Sequence, residues 1–104
     1  MDRQPEAEAA DPHPPGRYLF WRELPPSNPG SVLAHEWETY RREVGRLLAE
    51  GHEGKHVLIK GDEIIGLFDT QRAALDEGRA RYFRVPFLVH QIATYEKLLR
   101  VRWL

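Results

Sequence analysis

Cysteine is absent from this 104-residue chain. That one absence removes disulfides, thiolate-bound zinc, iron–sulfur clusters and thiol nucleophiles from consideration. Long apolar runs are absent too, and nothing approaches the ~20 residues that a helix needs to cross a bilayer. The opening MDRQPEAEAADPHPPG lacks the basic-then-apolar order of a secretion signal. The expectation is therefore a cytoplasmic protein with no membrane span. Also missing are a phosphate-cradling Gly-rich loop ending in G-K-[ST], a nucleophile elbow and a Ser–His–Asp string.

The net charge is close to zero, at −1, but the charges are unevenly placed. Residues 1–78 hold 9 of the 15 basic and 15 of the 16 acidic residues, a balance of −6. Residues 79–104 hold Arg79, Arg81, Arg84, Lys97, Arg100 and Arg102 against Glu96 alone, a balance of +5. This skew points to a basic surface near the C-terminal end. Its plain reading is a solvated face that meets the acidic part of the same or a neighbouring chain. At this length a single domain with a small core is expected.

Four segments follow from the pattern. Residues 1–16 are rich in Pro, Ala and acids and cannot offset ordering entropy by burial, so they are expected to be disordered. Residues 17–30 hold an aromatic anchor, YLFW at 18–21, followed by a Pro-rich loop. Residues 31–92 are expected to form one α+β domain, and 93–104 a C-terminal extension.

Within the domain, Leu33, Trp37, Tyr40, Val44, Leu47 and Leu48 mark an amphipathic helix. Ser31 is its candidate N-cap, Gly51 its candidate stop, and Glu38 with Arg42 an i,i+4 pair. Gly45 is a mild cost inside it. HVLIKGDEIIGLFDT predicts a hairpin turning at Gly61 and Asp62, with Lys60 opposite Glu63. That register groups Val57 and Ile59 with Ile64, Gly66 and Phe68, and His56 and Leu58 with Ile65 and Leu67. Both faces are apolar, so each needs a cover, either helices or another subunit. Residues 69–83 predict a second helix capped by Asp69 or Thr70, with Gly78 allowing close approach to the sheet over Gly66. PFLVHQI (86–92) predicts a third strand, which could lie antiparallel beside the first or beside the second by a right-handed crossover, and the first placement is preferred. ATYEKLLRVRWL at 93–104 fits helix or strand, and the helix is preferred. The fold class is thus α+β: a three-stranded sheet, hairpin plus one strand, with two helices in the order α-β-β-α-β before the extension.

The residues 53–92 carry Glu53, Gly54, Lys55, Val57, Ile59 and Gly61. Further on come Gly66, Phe68, Asp69, Thr70, Gly78, Pro86, Phe87 and Val89. This E-G-K-x-V-x-I-x-G … V-x-G-x-[FY]-D-T … P-F-[LV]-V pattern resembles a family of small uncharacterised bacterial domains. The resemblance implies the hairpin–helix–strand order and no assigned activity, ligand or site. In that pattern the position of His56 is usually aromatic.

The string HEGKH (52–56) matches the H-E-x-x-H of zinc hydrolases through His52, Glu53 and His56. That chemistry requires a helix, so that i and i+4 grip one ion beside the Glu. Here glycines at 51 and 54 and a following β-run argue for a loop. Only Glu77 or His90 could serve as a third ligand. His90 itself reads as a core or interface histidine. Asp62, Glu63 and Asp69 are explained by a turn and a cap. Arg79, Arg81, Tyr82, Phe83 and Arg84, with Arg100, Arg102 and Trp103, could hold nucleic acid. The plainer reading buries Tyr82, Phe83 and Trp103 and leaves the arginines solvated.

The function expected is therefore a non-catalytic protein–protein interaction module or accessory subunit, without cofactor, bound to another protein or to itself as a dimer. Phe20, Trp21, Leu99, Val101 and Trp103 are the expected contacts. A small zinc-dependent hydrolase and a nucleic-acid-binding module are the alternatives.

Overall fold

A computed structural model describes residues 6–7, 9–10 and 18–97. The fold is α+β, with two helices and five strands in two small antiparallel sheets. In chain order these are β1 (Tyr18–Phe20), α1 (Ala34–Ala49), β2 (His56–Lys60), β3 (Glu63–Phe68), α2 (Gln71–Arg81), β4 (Leu88–Gln91) and β5 (Tyr95–Lys97). A 3-10 turn, Trp21–Glu23, follows β1. Glu6–Ala7 and Ala9–Ala10 also form a two-residue parallel pair. With one residue between them this is a local loop closure, because a true parallel crossover needs a dozen residues or more. The remaining tail positions lie outside the described residues.

The main sheet has the order β3-β2-β4, so the third strand pairs antiparallel with the first strand of the hairpin, as expected. The hairpin register differs from the simple one. Lys60 does face Glu63 and Ile59 faces Ile64, but Leu58 then pairs with Gly66 and Val57 with Leu67. One residue, Ile65, is extra. This β-bulge moves every later side chain of β3 to the other face. Leu67 thereby joins Val57, Ile59 and Ile64, while Gly66 and Phe68 go over with Leu58 and His56.

Each face has its own cover. On the first, Tyr40, Val44 and Leu47 of α1 form a buried cluster with Leu24, Val57, Ile59 and Ile92. On the second, Leu58, Ala74 and Gly78 are buried where α2 crosses the sheet. A fully buried leucine is worth roughly 1.5–3 kcal/mol, so both layers matter in a chain this small. The apolar character of both sheet faces is therefore met by the chain's own helices.

The helix ends explain themselves locally. At the end of α1, Gly51 has φ 86. Its N–H donates to Leu48 O at 3.0 Å, and that of His52 to Leu47 O at 3.1 Å. This is the Schellman arrangement, which satisfies carbonyls that the helix leaves open. Thr70 caps α2, its Oγ1 accepting from Ala73 N at 3.1 Å. Ser31 does not cap α1. The helix begins later, at Ala34, and Ser31 instead closes a preceding turn, its carbonyl accepting from Ala34 N at 3.1 Å. Glu38 also differs from expectation. Its carboxylate takes Ser27 N at 2.7 Å and Arg41 at 2.6 Å, while Arg42 turns to Glu43 at 3.1 Å. The Ser27 amide, ahead of Arg41, holds the Glu38 carboxyl below its usual range.

The N-terminal half of α1 grips the hairpin turn. Glu36, 5% exposed, accepts Gly61 N at 2.8 Å, and the Thr39 hydroxyl donates to Gly61 O at 2.7 Å. Gly61 has φ 61, the left-handed backbone that a tight hairpin turn needs at its first central position.

The segments flanking residues 31–92 join this unit. β1 pairs antiparallel with β5, Phe20 opposite Tyr95 and Tyr18 opposite Lys97. Tyr95–Lys97 is thus a strand, which corrects the preference for a helix there. The ladder to β1 supplies hydrogen bonds that the local pattern could not announce. Residues 98–104, with the expected contacts Leu99, Val101 and Trp103 and the arginines Arg100 and Arg102, lie outside the described residues.

Candidate docking groove

Three groups of candidate residues acquire positions. The first is the H-E-x-x-H string. His52, Glu53 and His56 span the turn after α1 and the first residue of β2, with Gly54 at φ 91 between them. The Glu53 carboxylate is occupied, accepting Thr94 N and Thr94 Oγ1, both at 3.0 Å. His52 lies 3.6 Å from Glu50. Among the described residues no three His, Asp or Glu side chains are placed to hold a metal ion. His90 and Glu77 do not join the string.

The second group is a polar cluster that sequence reasoning did not assemble. His90 Nε2 meets both oxygens of Glu96 at 2.9 and 2.8 Å. The Tyr40 hydroxyl donates to Glu96 Oε2 at 3.2 Å and to Gln91 O at 3.3 Å. The His90 ring packs 4.5 Å from that of Tyr40 and 5.4 Å from that of Trp37. Tyr40 is fully buried. Burial, and then the Glu96 charge, push its phenol far above the ordinary value, so it remains a neutral donor. The cluster fastens α1, β4 and β5 together, with His90 at the rim of the core and 26% of its side chain exposed. Nearby, Trp21 packs against the core and Phe20 lies beside it, their rings 5.7 Å apart. The Phe20 ring lies 5.6 Å from that of Tyr95. The Trp21 indole lies over Gly45, where an added Cβ would come within 2.5 Å of it.

The third group forms a surface groove between the end of α2 and the start of β4. Arg79 and residues 82–87 line an open cavity of about 530 Å³. The way the chain gets there is specific. Tyr82 ends α2, and its carbonyl accepts Val85 N at 2.9 Å, closing a turn over 82–85. Arg84, the third residue of that turn, has φ 69 and is the one non-glycine residue with positive φ among those described. A type II turn calls for glycine at this position. An L-residue there costs roughly 1–2 kcal/mol. Val85 precedes Pro86 and is held extended by the proline ring. The result is display. Phe83 is 73% exposed and Val85 45%. The Arg84 guanidinium sits 5.2 Å from the Phe83 ring centroid. The expectation that Phe83 belongs to the core is thus corrected: the turn leaves it no neighbour to pack under.

The floor is firmer. The Phe87 ring lies 6.2 Å from that of Tyr82 and presses directly onto Gly78. Gly78 therefore makes room for Phe87, and not for Gly66 as the sequence suggested. Gly66 is shielded by Phe68 of its own strand. Of the nearby arginines, Arg81 is engaged by Glu77 at 2.5 Å, and that pairing raises its pKa. Arg79 approaches Asp76 only to 4.0 Å. The expected basic patch thus divides, with Arg79 and Arg84 at the groove and Arg81 beside it in an ion pair.

Chemically the groove offers exposed rings, a rigid floor and two cations, with no nucleophile, acid–base pair or metal ligand set among its lining residues. Comparison with protein-family models, curated proteins and solved structures finds no match to this chain. Among the described residues no helix is long and apolar enough to cross a membrane.

Proposed function

We propose that this chain is a non-catalytic protein-binding module, an accessory subunit that acts in the cytoplasm by docking a segment of another protein in the groove of Arg79 and residues 82–87. The observation that carries this reading is Phe83. A phenylalanine 73% exposed, raised on a turn that spends strain at Arg84, is costly to display for no purpose. Aromatic and arginine side chains are the residues most enriched where partners bind strongly. The terminal aromatics contribute differently. Phe20 and Trp21 already have internal partners, so contact through them is secondary.

The test is selection of peptides displayed on phage against the full chain, followed by titration of those enriched. Enriched peptides are expected to lose about tenfold or more in affinity for Phe83→Ala. No enrichment, or peptides indifferent to Phe83→Ala, would overturn the reading. One observation favours a second reading: a guanidinium over an exposed ring is also a stacking platform for single-stranded nucleic acid. That reading expects affinity for an oligonucleotide which falls steeply with added salt.

A further inference from the structure

We propose that the groove has a resident occupant, the chain's own acidic N-terminal stretch 5–11, which docks in cis and competes with any outside partner. The inference rests on reading the groove as a docking surface. Three observations carry it.

The first is charge. Residues 5–11, PEAEAAD, carry Glu6, Glu8 and Asp11 and no basic residue. The groove lining holds Arg79 and Arg84 and no acidic side chain. Arg84 lies over the Phe83 ring, and Arg79 stands at the outer limit of pairing with Asp76, 4.0 Å away. Both cations therefore have capacity left for a carboxylate. Arg81, already closed on Glu77, does not.

The second is shape. Between its carboxylates the stretch carries only Pro5, Ala7, Ala9 and Ala10 as apolar residues. Small side chains allow a backbone to lie close against exposed rings, so carboxylates can reach the rim. The groove is open at the surface, and its apolar lining gives the methyls a surface to cover.

The third is reach. Tyr18 is fixed opposite Lys97. From Phe87 to Lys97 the chain spans at most about 36 Å, and a strand-to-strand step adds ~5 Å, so Tyr18 stands within roughly 40 Å of the groove. Residues 5–11 lie between seven and thirteen residues before Tyr18, which allows spans up to roughly 23–43 Å. At that outer bound Pro5 and Glu6 still reach the groove, and the true separation is shorter, because the Tyr40 hydroxyl bonds both Gln91 O and Glu96 and so folds the chain between them back from full extension. A tether this short also holds its end at an effective concentration in the millimolar range. Contacts too weak to capture a free peptide are then sufficient. The skew of the whole sequence, −6 over 1–78 and +5 over 79–104, takes on a use: an acidic stretch near its start screens its basic rim.

The experiment uses the full chain. Because there is no native cysteine, Ala10→Cys gives a single attachment point for a nitroxide. In nitrogen-15-labelled protein, amide signals of residues 79–85 and of Phe87 should be broadened selectively and recover when the nitroxide is reduced. Arg79→Glu with Arg84→Glu should abolish the effect, as should high salt. Broadening that is absent, diffuse or indifferent to these charge reversals overturns the proposal. Equal broadening in isotope-labelled chains that carry no nitroxide, when these are mixed with spin-labelled chains, also overturns it, since the tail then docks in trans. Titration of a groove-binding peptide separates the two readings. A peptide that binds at Phe83 in a chain whose tail shows no proximity leaves the groove standing and removes the tail. A chain with Glu6→Gln, Glu8→Gln and Asp11→Asn should bind that same peptide more tightly, by about threefold or more, if the tail competes.

Discussion

Gly45 provides the sharpest test of the packing. It lies inside α1, where alanine is ordinarily better than glycine by about 0.8–1 kcal/mol. Here the sign should reverse. A methyl at this position would stand 2.5 and 2.8 Å from two carbons of the Trp21 indole. Carbon atoms prefer about 3.5–4 Å. The indole has little freedom to yield. The Phe20 ring is 5.7 Å from it, the Arg22 guanidinium covers it at 4.7 Å, and the Trp21 backbone N–H donates to Thr94 O at 2.9 Å. Overpacking of this kind costs about 1–3 kcal/mol. Set against the propensity gain, Gly45→Ala should destabilise the chain by roughly 0–2 kcal/mol. In a Trp21→Ala background the obstacle is gone, and the same substitution should stabilise by about 1 kcal/mol. Urea denaturation of the four chains completes the cycle, with a coupling of about 1–3 kcal/mol. An equal gain from Gly45→Ala in both backgrounds would refute the notch and the inward placement of Trp21.

Four further outcomes are expected. Arg84→Gly should raise stability by about 1 kcal/mol, because φ 69 then costs nothing, while weakening any peptide held by the groove; a loss of stability on denaturation would contradict the strain argument. Leu58→Ala, at a fully buried position under α2, should cost about 2–5 kcal/mol in the same assay, and a cost below 1 would mean that α2 does not cover that face. Gly51→Ala should cost about 1 kcal/mol through its φ of 86, detectable as a lower urea midpoint with an unchanged slope. Tyr40 should govern alkaline stability. Its pKa in the fold is raised from 10.0, so the neutral phenol supports the fold below that pH, and the support is lost as pH rises from there toward the higher folded value. Ultraviolet difference spectra should show its phenolate only together with unfolding, and Tyr40→Phe should remove that coupling.

The order of hairpin, helix and strand was legible because each carries its own local signal. Gly61 and Asp62 announce the turn, Gly51 the end of α1 and Thr70 the start of α2. What was illegible depends on distant partners. Nothing between Ile59 and Phe68 says which isoleucine is the extra residue, since Ile64 and Ile65 are identical in chemistry, and the choice is made by α1 on one side and α2 on the other. Tyr95–Lys97 has the composition of a helix continuation, and only its ladder with Tyr18–Phe20 makes it a strand. Gly45 looked like a minor defect until Trp21 was placed over it. The groove was half legible: Arg79, Arg84, Tyr82 and Phe83 stood out as residues, but the exposure of Phe83 follows from the backbone of Arg84, which no residue pattern encodes.

The pairing of β1 with β5 has a consequence for how the chain is made. β1 has no partner until β5 is synthesised. Until residue 97 has left the ribosome, the N-terminal aromatics must wait. Without β5 the ladder to β1 is lost, and at that edge the aromatic segment keeps the Trp21 N–H bond to Thr94 O. The hairpin and α2 depend on neighbours close in sequence and can assemble early, as short-range contacts do. Closure of β1 on β5 comes last. A ribosome that stalls before residue 95 therefore releases a chain whose aromatic segment lacks its ladder, leaving the backbone of Tyr18–Phe20 without its strand partner.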